Sequence, residues 1–148
     1  MREAGLTKQE RGLLTLTRVL LVLFFLATIL FIILPTWSLN YLSDLGQVVF
    51  GFKTQAIELE AHKFWLVLAV GYTAVLTYAC FIAQSDFLRL MDYLKIVIFG
   101  KFVTASGFIF CFLKYDYVFY YLVGAVIDSL LFFITLYCYH AAKKSRSG

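Results

Sequence analysis

Proline is almost absent from this chain of 148 residues, with Pro35 as the only one, and just 15% of the side chains are charged. A soluble domain carries about 25% charged residues, so a water-exposed surface cannot be dressed with what is here. Cysteine is equally sparse. Cys80, Cys111 and Cys138 stand apart from one another with no C-x-x-C, which argues against a quinone-linked thiol oxidoreductase. They read instead as small buried apolar residues. No nucleophile motif, glycine-rich phosphate loop or carboxylate dyad occurs. No cofactor is therefore expected, and an enzymatic role is not the first expectation.

What fills the sequence is apolar. It is 62% hydrophobic, with a mean hydropathy of +0.85. Four stretches are long enough to cross about 30 Å of hydrocarbon: approximately 19–43, 64–85, 95–113 and 117–140. Besides the connections, they leave only a basic arm, 1–18, and a tail, 141–148, so the expectation is a single membrane domain. The predicted fold is an all-α integral membrane protein, a bundle of four transmembrane helices. Arg11 and Arg18 precede the first run as in a signal peptide. That run exceeds the 7–15 residues of a signal core, and no small-x-small site follows Leu34-Pro35-Thr36-Trp37. It is read as an uncleaved span, with Pro35 near its far end, where a lost backbone bond costs least.

Basic residues set the expected orientation. Nine of them (Arg2, Lys8, Arg11, Arg18, Arg89, Lys95, Lys143, Lys144, Arg146) fall on one side, against Lys53, Lys63 and Lys114 on the other. The positive-inside rule then places both termini in the cytoplasm, in a plasma or inner membrane. This asymmetry accounts for the net charge of +4 without nucleic acid. Trp37, Tyr41, Trp65, Tyr115, Tyr117, Tyr120 and Tyr121 read as the outer aromatic belt, and Tyr93, Tyr137 and Tyr139 as the inner one. In the first, outer connection, Leu45, Val48, Val49, Phe52, Ala56 and Leu59 recur at helical spacing, predicting an interfacial amphipathic helix. In the second connection Ser85 is the expected N-cap, leading into either a short interfacial helix or one long helix from Asp86 to Leu113.

Two charges lie inside the last two spans. Lys101 and Asp128 stand 14 and 13 residues from Tyr115 in the connecting turn. At about 1.5 Å per residue, an antiparallel hairpin places them at nearly equal depth. Each alone costs on the order of 3 kcal/mol near a bilayer centre, so such residues pair, face a bundle interior or mark a pathway. Thr104 shares the side of Lys101, and Tyr121, Gly124 and Thr135 fall roughly with Asp128, predicting a mildly polar seam. Small residues at four-residue steps (Ala69, Thr73, Thr77; Gly100, Thr104) suit close helix packing in lipid. An alternative keeps the charges apart, with Lys101 snorkelling toward Lys95. Glu58 and His62, one helical turn apart, are weak metal-ligand candidates with no evident third ligand.

Length and span count are similar to those of small multidrug transporters, whose first helix carries an embedded glutamate; the first span here has no acidic residue. The expected role is a structural or accessory subunit acting by helix packing, with the lipid bilayer, other membrane-protein subunits or further copies of itself as partners. A proton-coupled transporter using Asp128 and Lys101 is the alternative, and an intramembrane lipid-modifying enzyme the third reading. The orientation has a direct check. Green fluorescent protein fused after Gly148 should fluoresce in intact bacteria, whereas periplasmic alkaline phosphatase at the same position should stay inactive.

Overall fold

The computed structural model describes residues 5–34, 37–51, 59–114 and 119–147, and no strand occurs among them. Helix α1 spans Lys8–Ile33. It begins inside the basic arm because Thr7 and Glu10 form a capping box. The Glu10 amide donates to the Thr7 hydroxyl at 3.3 Å, and the Thr7 amide to the Glu10 carboxylate at 2.8 Å. Two otherwise orphaned N–H groups are thereby satisfied. α1 ends at Ile33, short of the 43 expected for the first span. Leu34, at φ −129° and ψ 61°, has left the helical region, as a residue preceding proline tends to do. α1 thus stops with its cap at the residue before the proline and does not run on past it.

Residues 37–43 belong instead to a separate helix, α2 (Trp37–Phe50). It covers the first part of the predicted amphipathic segment; residues 52–58 lie outside the described residues, and Leu59 begins the next helix. Gly51, at φ +69°, closes α2 in the left-handed conformation and donates its N–H to the Gln47 carbonyl at 3.0 Å, a C-terminal arrangement that glycine adopts without Cβ strain. α2 rests on the start of the last helix. Phe119 lies directly against Gly46, leaving no room for a Cβ there, and the Phe50 and Phe119 rings sit 5.3 Å apart.

Helix α3 is Leu59–Ser85. Ser85 is its last residue, not the N-cap of the next helix, and its hydroxyl donates back to the Ile82 carbonyl at 2.8 Å. Asp86 holds the cap position without a side-chain cap bond. Short α4 (Phe87–Leu90) and a 3₁₀ turn (Met91–Tyr93) then feed α5 (Leu94–Lys114). The path falls between the two alternatives read from the sequence, a helical approach broken by one tight turn. α6 (Phe119–Ser147) continues beyond His140 into the tail.

Among the described residues four helices are long and apolar enough to cross a membrane: α1, α3, the α4–α5 run and α6. The broadest contacts are α1 with α3 and α5 with α6, and α1–α6 and α3–α5 contacts join the two pairs. The buried core (Leu13, Leu20, Leu76, Cys80, Leu94, Val97) lies toward the end where α1 begins and α6 finishes. Large apolar side chains such as Phe25, Phe99 and Phe133 face outward on the same helices. Gly46→Val should therefore lever α2 away from α6. Hydrogen–deuterium exchange at 37–50 is expected to rise at least about tenfold while α5 keeps its protection.

Candidate functional site: a buried ion pair joining four helices

α5 is apolar on every side, so hydrophobicity does not tell it which face to turn inward. Lys101 does. It lies seven residues beyond Leu94, roughly 10 Å along the axis, and Asp128 lies nine residues into α6, roughly 14 Å from Phe119. Because α5 and α6 are packed neighbours, the two side chains meet. Lys101 Nζ donates to Asp128 Oδ1 at 2.8 Å, and both residues are only 7% exposed. Thr104, nearly one turn beyond Lys101, donates its hydroxyl to Asp128 Oδ2. Each carboxylate oxygen thus has a donor.

The ammonium reaches further than this pair. It lies 5.0 Å from the Phe24 ring centroid on α1 and 5.7 Å from that of Tyr72 on α3, within the range at which an aromatic face attracts a cation. One ammonium therefore contacts all four long helices. Tyr72 reaches it by passing over Gly100, where an added Cβ would come within 2.8 Å of the phenolic oxygen. That hydroxyl is buried beside the Thr104 side chain, with which it interacts, and close to the Asp128 charge.

The remaining residues singled out from the sequence lie elsewhere. Tyr121 and Gly124 pack against Phe108: the Tyr121 ring is 6.5 Å from it, and a Cβ on Gly124 would approach it to 2.9 Å. They form an aromatic contact with no polar bond to the pair. Thr135 is buried seven residues beyond Asp128, and its hydroxyl has no partner. Only Thr104 of the predicted seam joins the charges. Glu58 and the side chain of His62 lie outside the described residues, and among the described residues no three His, Cys, Asp or Glu side chains come together to hold a metal. The three cysteines are free, with Cys80 buried.

No protein-family model matches this chain, and no curated protein or solved structure matches it. Its reading rests on geometry.

Sequence reasoning missed both rings around Lys101, since apolar spacing does not say which aromatic faces inward. The signal was Gly100, a missing side chain directly beside a buried cation. A second polar cluster at the basic end also went unread. Tyr139 donates to Asp92, whose other oxygen accepts from Lys95 at 3.0 Å. The Thr7 and Ser145 hydroxyls share a 2.9 Å hydrogen bond, and Arg146 donates to the Leu88 carbonyl at 2.6 Å while its Nε stands 3.9 Å from Glu10. The Asp92–Lys95 spacing of three was visible; Tyr139 looked like one more belt residue.

The site can neutralise charge and fix helix rotation. Removing one partner of a buried pair costs about 3–5 kcal/mol, because the other charge is stranded, whereas replacing both with apolar residues is often nearly neutral. Lys101→Met or Asp128→Asn alone should lower the monodisperse fraction after detergent extraction several-fold. Lys101→Met with Asp128→Leu should recover most of it, and exchanging the two charges should recover part.

Proposed function

We propose that this chain is a small multi-pass membrane protein that acts by helix packing, as an accessory subunit of a membrane complex or in a homo-oligomer, with both termini in the cytoplasm. The observation that carries the reading is the closure of the ion pair. Lys101 and Asp128 are buried and mutually neutralised, with Thr104 on the remaining carboxylate oxygen. A group already matched inside the bundle serves the bundle first. Outward-facing Phe, Val, Leu and Ile on every long helix supply the surface for lipid and for neighbouring membrane helices, which associate by close packing more than by hydrophobicity.

One observation favours a second reading. The buried Tyr72 hydroxyl, next to Thr104 and Asp128, is a group through which a proton could leave or reach Asp128, as a proton-coupled carrier requires.

Gentle extraction of the tagged chain, followed by size exclusion and mass spectrometry, separates the two. Stoichiometric co-migration with other membrane proteins, or a defined homo-oligomer, is expected for the packing role. A monomer in native-like lipid would overturn it. Asp128→Asn vesicles that lose proton flux while retaining normal protein levels would establish the carrier.

A further inference from the structure

The outer side of the α5–α6 seam carries a cleft of about 360 Å³ at the basic end of the bundle. Lys95, His140 and Lys143 line its mouth, and Phe99, Phe102 and Leu136 line its wall. The Phe102 ring meets that of Phe132, also in the cleft, at 5.6 Å. From Lys95 to Phe102, and from Lys143 down to Phe132, the lining descends roughly 10 to 16 Å along the two helices. A second cleft of about 440 Å³ adjoins it through Lys143 and adds Arg89, Asp92 and Arg146. Across both clefts four cations, Arg89, Lys95, Lys143 and Arg146, face the single carboxylate of Asp92.

We infer that this paired cleft binds one anionic glycerophospholipid, with its phosphate at Lys143 and an acyl chain along the Phe99–Phe102–Leu136 wall; this rests on the membrane placement proposed above. The charges are not equivalent. Lys95 is bonded to Asp92 at 3.0 Å, and Arg146 is held by the Leu88 carbonyl and by Glu10. Arg89 and Lys143 make no ion pair among the described residues, although Lys143 lies within electrostatic reach of Asp92. Of these two only Lys143 lines both clefts, so it is the cation placed to meet a phosphate above the apolar wall. Basic pockets between helices at the cytoplasmic boundary suit anionic headgroups. The wall beneath is apolar, and Phe99 and Phe102 remain open to the outside. An inorganic anion would use the mouth and leave that wall uncovered. A phospholipid matches both chemistries in the order in which the cleft presents them.

The test uses the full chain in detergent with equimolar phosphatidylglycerol or phosphatidylcholine, read by native mass spectrometry for retained lipid. Preferential retention of one phosphatidylglycerol is expected, falling about fivefold in Lys143→Ala, the weight of one basic side chain near an anionic surface. Lys8→Ala, with the same change of charge outside both clefts, should retain lipid as the native chain does. Leu136→Trp, which fills the wall and leaves the charges alone, should also lose the lipid. Equal retention of both lipids, equal loss in the two lysine variants, or displacement by soluble sn-glycerol 3-phosphate as effective as by the lipid would overturn the assignment. Alkaline carbonate washing of the same membranes keeps the two claims apart. A chain that stays in the membrane without retaining lipid sinks only the site, and a chain released by the wash sinks the membrane placement itself.

Discussion

Everything else in this bundle is arranged around one ammonium group. Lys101 bonds Asp128 on α6 and lies over Phe24 on α1 and Tyr72 on α3, while its own helix, α5, supplies Thr104 to complete the carboxylate. Apolar helices of this kind slide and rotate against one another at little energetic cost. A buried cation with one good partner selects a single rotation and a single depth, since any other arrangement leaves a charge unmatched in apolar surroundings. Gly100 belongs to the same device, because it admits Tyr72 to the cation's side.

Away from this centre the packing is uneven. Buried apolar residues crowd the basic end, where Leu13, Leu94, Val97 and Ala142 are fully enclosed. Toward the other end the contacts become a few close approaches: Phe119 on Gly46, and Phe108 on Gly124. Between them, side-chain hydrogen bonds tie particular helices together. Thr28 of α1 meets Thr73 of α3 at 2.9 Å, and the Gln84 amide donates to the Thr17 carbonyl at 3.3 Å. Among helices as uniformly apolar as these, such polar and small-residue contacts provide a specificity that hydrophobic burial alone does not.

The number and type of long helices were legible in the sequence because unbroken apolar runs have few alternatives. Nearly equal spacing of Lys101 and Asp128 from the connecting turn also made their juxtaposition one of the two readable alternatives, since antiparallel neighbours translate distance along the chain into depth. Boundaries were harder. Thr7 and Glu10 extend α1 into a segment that looked like a solvated arm, and the chain before Pro35 ends it earlier than hydropathy alone suggests. Tyr121, Gly124 and Thr135 share a helix with Asp128 but meet other partners, because residue spacing on one helix is silent about which neighbours the other helices present. The rings of Phe24 and Tyr72 went unseen for the same reason.

The separation of 27 positions between Lys101 and Asp128 is also an interval of time. At about 5 to 20 residues per second, the lysine is made roughly one to five seconds before its carboxylate exists. During that wait its long stem can lie back along the helix toward the boundary near Lys95, keeping the ammonium hydrated. Its pairing with Asp128 has to wait for the last helix. A carboxylate in the earlier position would have no comparable reach, so the order of the two charges along the chain suits the order in which a ribosome delivers them.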